Sequence, residues 1–251
     1  MTPWEAVAIF AAGIGAGGIN AVVGSGSLIT FPTMVAVGIP PVVANVSNNI
    51  GLVPGSLTSV LGYRAELKGQ RARLVRLGVG SVIGSLIGGL LLLSLPARTF
   101  NVVVPILIGL SCVLVVVQPR LNRWLAARRE NAHPHGGPWL WLGVLGAGAY
   151  GGYFGAAQGV LLIGLLGSVL DEDLQRINAA KNVLALLVNG TAALLFVLVA
   201  DVDWRAVALV ALGATIGGFF GARFGRKLPA PVLRGIIVVV GIVAMVKLIY
   251  A

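Results

Sequence analysis

The sequence predicts an all-α membrane protein of several crossings, built from two inverted copies of one pattern. Three observations predict it. Of 251 residues, 57% are hydrophobic and 10% charged, with a mean hydropathy of +0.96; a soluble domain carries about 25% charged residues. Several apolar runs reach the ~20 residues that a helix needs to cross a bilayer. One pattern also occurs twice, displaced by 133 positions, as from Ser56 to Asn189.

The repeat carries both polar and small residues. Asn45, Asn48 and Asn49 answer to Asn178, Lys181 and Asn182. Gly26 answers to Gly159, Leu28 to Leu161, Thr58 to Thr191 and Leu61 to Leu194. Gly80, Gly84 and Gly88 match Gly213, Gly217 and Gly221, and Leu95-Pro96 matches Leu228-Pro229, all without a gap. Residues 1–117 are therefore the first membrane repeat, 118–138 a cytoplasmic linker, and 139–251 the second, inverted repeat.

In chain order, residues 4–23 form the first apolar run, read as a retained span because no basic region precedes it. The break Gly24-Ser25-Gly26-Ser27 follows. The run 28–37 is too short to span and ends at Pro40-Pro41. Residues 42–63 are full length, with Pro54 and Gly55 expected to kink the helix. A basic loop reaches Arg76, and the runs 77–95 and 100–117 complete the half. The second half repeats the plan with 139–154, a break at 155–159, a short run 160–170, the acidic turn Asp171-Glu172-Asp173, and the runs 174–200, 204–222 and 232–249. Each leading pair must cross an even number of times, as two spans or as a re-entrant hairpin. The total is about eight to ten membrane segments.

The net charge of +10 is concentrated in loops: Arg64, Lys68, Arg71, Arg73 and Arg76; Arg120, Arg123, Arg128 and Arg129; Arg223, Arg226, Lys227 and Arg234. Basic loops between spans mark the cytoplasmic side. That assignment makes the halves inverted and both termini external. It also replaces a nucleic-acid reading, since no soluble basic domain exists to hold a duplex. The single Cys112 permits no intrachain disulfide and reads as a core residue. The glycine ladders read as close helix packing.

Three elements carry candidate chemistry. The first is the pair of breaks, Gly24, Ser25, Gly26 and Ser27 in one half, Gln158 and Gly159 in the other. Irregular backbone at membrane depth is tolerated only inside protein or along a cavity. A short helix starting there turns its N–H groups and positive end to an anion. The second is the polar face. Asn45, Asn48 and Asn49 share one helix face by their spacing, as do Asn178, Lys181 and Asn182. The third is Lys181, well inside an apolar span; snorkelling to the interface is the alternative to a role in binding an anion. No base is oriented toward a serine, the two histidines of the central loop make a poor metal site, and no nucleotide motif is present. A transporter without catalytic residues, metal or cofactor is expected.

The run Gly24-Ser25-Gly26-Ser27-Leu28-Ile29-Thr30-Phe31-Pro32, followed by Ala44-Asn45-Val46-Ser47-Asn48, resembles the signature of the TauE/SafE sulfite exporter family. The resemblance covers essentially the whole chain. The second half departs from it, with Phe154-Gly155-Ala156-Ala157-Gln158-Gly159 in place of the glycine-serine run and no proline after it. The resemblance implies a multi-pass protein of a prokaryotic plasma membrane that exports a small sulfur-containing anion such as sulfite or an organosulfonate. The bilayer and that anion are the expected partners, and a homo-oligomer is compatible with the sequence. Alternating access about a midplane site is the expected mechanism. An anion channel with the same lining and a non-transporting accessory subunit are the alternatives.

Overall fold

The computed structural model describes residues 1–127 and 137–225, together with 235, 238–240, 242, 243 and 245. Expectations for His133, His135, Arg128, Arg129, Arg226, Lys227, Arg234, Leu228-Pro229 and most of 232–249 lie outside the described residues.

The described residues are helical and contain no strand. The helices are α1 (Pro3–Val22), α2 (Ser27–Ala36), α3 (Pro41–Gly62), α4 (Arg71–Ser94), α5 (Ala97–Ala127), α6 (Pro138–Tyr153), α7 (Gln158–Val169), α8 (Leu174–Val199) and α9 (Trp204–Phe224). Five stretches are long and apolar enough to cross a membrane: Pro3–Val22, Arg71–Ser94, Arg98–Arg120, Leu174–Val199 and Trp204–Phe224. The short helices α2 and α7 have 10 and 12 residues. They rise about 15 and 18 Å, roughly half the hydrocarbon thickness. Neither is a span by itself.

Two boundaries differ from expectation. The basic stretch read as loop up to Arg76 is helix from Arg71, and the linker read as loop from residue 118 is helix to Ala127. Hydropathy registers where the apolar slab ends. A helix continues past it wherever its backbone bonds can still be made. Pro54 lies inside an uninterrupted α3.

The glycines set the packing. Gly13 and Gly17 of α1 lie on Val210 and Ala214 of α9, as do Gly51 and Gly55 of α3. Gly62 then meets Ala222. These matched progressions make α1, α3 and α9 parallel. Gly80, Gly84 and Gly88 of α4 lie on Trp141, Leu145 and Ala149 of α6. Ser85 Oγ donates to Val188 O at 2.7 Å and Gly89 abuts Leu195, so α4, α6 and α8 are parallel to one another. A Cβ at Gly84 would strike the Leu145 carbonyl, and one at Gly217 the Ile14 carbonyl. Small residues are what permit such approach in lipid.

The helices that correspond by the repeat pack in exchange. α9 of the second half covers α1 of the first, and α4 of the first covers α6 of the second. The matched helices α3 and α8 run in opposite directions. Tyr63 near the end of α3 clusters with Ala179 near the start of α8, while Ser47 Oγ near the start of α3 accepts from Asp203 N, beyond the end of α8, at 2.9 Å.

The two ends of the bundle are closed differently. At the basic end, Glu172 accepts from Arg73 Nη2 at 3.0 Å and Arg176 Nε at 2.5 Å. Arg176 Nη1 reaches Lys68 O at 3.1 Å, and Gln70 Nε2 donates to Arg176 O at 3.1 Å. The hydrogen bonds from Arg176 and then Arg73 hold the Glu172 carboxyl below the usual carboxylate range. At the other end, Phe31, Phe100, Tyr153 and Phe154 form an aromatic plug, with Phe31 edge-on to Phe154 at 5.2 Å.

Candidate functional site

The two helix breaks meet in the interior. α1 ends in a turn in which Val23 N and Gly24 N both donate to Ile19 O, at 2.7 and 3.0 Å. α6 ends the same way, with Phe154 N and Gly155 N on Tyr150 O at 2.9 and 3.0 Å. Gly24 has φ +85° and Gly155 φ +74°, the left-handed conformation that closes a helix and favours glycine. Gly159 N donates to Gly24 O at 3.0 Å, and a Cβ on either glycine would strike the other's Cα. Ala157, fully buried at the start of α7, is left-handed without being glycine, at φ +60°.

The corresponding turns are offset from the rest of the repeat. Gly217 lies on Ile14 and Gly18 where Gly84 lies on Leu145 and Ala149. Ile14 and Leu145 stand two positions closer in sequence than Gly84 and Gly217 do. The two breaks are equally long, 23–26 and 154–157, so the two extra residues of the second half fall in α7, which has 12 residues where α2 has 10.

The polar faces converge on the ends of the leading helices. The last carbonyls of a helix have no partner within it and carry its partial negative charge. Asn178 Nδ2 and Asn182 Nδ2 both donate to Ala21 O, at 3.0 and 3.2 Å. Lys181 Nζ donates to Asn20 O at 2.7 Å and to Ala21 O at 3.4 Å. Asn45 Nδ2 does the same for α6, donating to Tyr153 O at 2.9 Å. Each of these contacts joins one half to the other. Asn48 instead stays within its half, accepting from Thr30 Oγ1 and donating to Ser27 Oγ at 3.2 Å. Ser56 and Asn189, which correspond by the repeat, bond each other at 3.3 Å.

Lys181 is 0% exposed, so its ammonium does not reach the interface. Among the described residues no carboxylate pairs with it. Beside it lies a cavity of about 30 Å³. That is room for one or two waters. Of the sequence-predicted residues, Gly24, Ser27, Gln158, Gly159, Lys181 and Asn182 line it; Ser25, Gly26, Asn45, Asn48, Asn49 and Asn178 do not. The rest of the lining is Asn20, Ser56, Ser59, Gly155, Ala185 and Asn189. Gln158 Nε2 is buried without a hydrogen-bond partner, as are Ser25 Oγ, Asn49 Oδ1 and Asn178 Oδ1.

Sequence reasoning missed Asn20 and Ser59. Asn20 Oδ1 accepts from Gly26 N at 2.7 Å, so one residue fixes the break and its own carbonyl holds Lys181. The available signal was an amide in the last turn of an otherwise apolar run. Ser59 stands one turn beyond Ser56 on the same face, a spacing that the pattern already contained. No group of metal-ligating side chains is present among the described residues.

The arrangement is a buried lysine and amide donors around a polar gap between two broken helices. The profile of the sulfite exporter TauE/SafE family matches residues 9–248. The chain belongs to this family. Its relatives in the TauE/SafE family include YfcA of Escherichia coli, described as a probable membrane transporter protein, 27% identical over 236 residues that cover 94% of this chain and 86% of the relative. A probable membrane transporter protein of Haemophilus influenzae is 24% identical over 245 residues, covering 96% and 93%. One from Sinorhizobium, ORF9, is 23% identical over 242 residues, covering 96% and 90%. No solved structure matches the chain. The TauE/SafE family is one of membrane transporters, and this member is a multi-pass membrane protein of bacterial type.

Proposed function

We propose that the protein exports a small sulfur-containing anion, sulfite or an organosulfonate, by alternating access about the cavity beside Lys181. The observation that carries this reading is the meeting at one gap of an amine that has no carboxylate partner and an amide nitrogen that has no partner among the described residues. Lys181 brings a buried positive charge with only helix carbonyls as partners, and Gln158 brings a buried amide nitrogen with no partner. A carbonyl balances part of a full charge; an oxyanion balances all of it and accepts from the amide as well. Asn182 and Ser27 line the same gap and add donors. Gln158 and Gly159 place the start of α7 on the same gap, although their backbone N–H groups are bonded to Gly155 O and Gly24 O.

The small cavity supports a carrier caught closed at both ends. An open channel would hold a continuous water path. The opposed directions of α3 and α8, and the Ser56–Asn189 bond between matched residues, support two inverted repeats that rock about this point. Export follows the membrane potential: each negative charge leaving a negative interior gains about 2.3 kcal/mol per 100 mV.

The test is radiolabelled sulfite flux into proteoliposomes under an imposed potential, with wild type and Lys181→Ala. Saturable wild-type flux that follows the potential and is lost in the variant is expected. Equal flux in both would remove Lys181 from the site. Non-saturating flux would replace the carrier with a channel.

A further inference from the structure

A second site lies at the basic end, on the outer face of the bundle, away from the transport cavity. Gly62 of α3 and Ala222 of α9 bring the ends of these helices together. Beyond that contact a trough of about 540 Å³ opens outward. Its apolar walls include Leu61 and Phe219, which are 57% and 51% exposed. Exposed apolar side chains on a membrane protein face acyl chains. At the rim stand Arg64 and Arg223, the latter with its guanidinium 5.8 Å from the Phe224 ring.

These arginines differ from their neighbours. Arg73 and Arg176 at the same end share Glu172. No carboxylate pairs with Arg64 or Arg223 among the described residues. Two uncompensated guanidinium groups above an apolar trough match one ligand chemistry, a phosphate joined to a hydrocarbon tail. Arginine takes phosphate oxygens through paired N–H donors. Basic pockets between membrane helices on the cytoplasmic side are suited to anionic headgroups.

We infer that the α3–α9 trough binds one anionic glycerophospholipid, with its phosphate on Arg64 and Arg223 and an acyl chain against Leu61 and Phe219. A similar trough between α4 and α8, about 600 Å³, supplies an internal control. It is lined by apolar residues with Arg71 as its one charged residue.

The experiment places the full chain in nanodiscs with a photoactivatable phosphatidylglycerol carrying its probe on the acyl chain. Cross-links are mapped and competed with unlabelled lipids. Cross-links at Leu61 and Phe219 should be displaced by phosphatidylglycerol about thirtyfold better than by phosphatidylcholine, roughly a factor of five per arginine. Arg64→Gln with Arg223→Gln should abolish that preference. Cross-links at Val75 and Val79 in the α4–α8 trough should keep a preference of no more than about fivefold. Millimolar inorganic phosphate should displace nothing, since the tail contributes the apolar part. Equal displacement by the two lipids in wild type would overturn the inference and leave an ordinary annular position. So would an equal preference in both troughs. Because the competition is read in wild type, it stands even where the double variant fails to fold.

Discussion

Asn48 fastens the start of α2 through Ser27 and Thr30, whereas Lys181, its counterpart, turns away from α7 to the carbonyls that end α1. The start of α7 receives no equivalent clasp, and Gln158 Nε2 is left without a partner. The same backbone plan thus carries one fixed break and one released break. The fixed one resembles a scaffold. The released one holds the positive charge and the unmatched donor, where an anion would be received. The start of α7 also lacks the hydroxyls that Asn48 uses, with Gln158 and Leu161 where α2 has Ser27 and Thr30.

The sharpest way to break this comparison is to erase it. Lys181→Asn restores the first half's residue to the second. Losing a buried charge that meets an anion costs about 2–5 kcal/mol, a drop of roughly thirtyfold or more in flux at subsaturating sulfite. Retained flux would mean that charge is not what distinguishes the halves. Next in size is Gly24→Ala. It sets a side chain in left-handed backbone and against the Gly159 backbone, so a loss of about 1–3 kcal/mol or more is expected in detergent melts. A silent Gly24→Ala would mean that the breaks do not touch.

Asn48→Leu tests the clasp. It leaves the Thr30 hydroxyl buried without its acceptor, and about 1–3 kcal/mol should be lost. Adding Thr30→Val should recover part of that loss; if the two changes simply add, the hydrogen bond is not the cause.

Glu172→Gln tests the closure of the basic end and should cost about 1 kcal/mol, since the site is partly open to solvent. Its pH dependence has a fixed sign. The folded carboxyl titrates below its ordinary range, so its stabilisation is whole above the unfolded value near pH 4.3 and fades as pH falls through the lower folded value. Wild type and variant melts should converge only in acid; convergence near neutral pH would exclude the latch. The smallest effect is expected from Ala157→Gly, which relieves left-handed backbone at the released break and should stabilise by no more than about 1 kcal/mol. A destabilised variant would show that the α-carbon geometry there is relaxed.

Much of the fold was legible because a bilayer imposes it. Apolar length gives α1, α4, α8 and α9, and the glycine spacing gives the faces along which they pack. Half of the predicted site residues line the cavity. The others lie off the cavity for a reason that sequence periodicity cannot show. Asn45 and Asn178 lie on the predicted faces, yet their amides are taken by the ends of α6 and α1. A helix end offers carbonyls without partners in their own helix, and spacing along another helix does not reveal whose end it meets. Arg71 and Arg73 were assigned to a loop because charge and hydropathy mark the bilayer boundary, while α4 simply continues through it.

The exchanged packing of the glycine ladders has a consequence for synthesis. When the ribosome has released α1, the surface that will cover it, α9, has yet to be made. The first half must wait in the bilayer with its narrow grooves filled by lipid, and only the last helices evict that lipid. Two separately expressed polypeptides, cut within residues 128–136, would therefore hold complementary halves of the glycine-ladder joints α1–α9 and α4–α6 and assemble into the intact bundle.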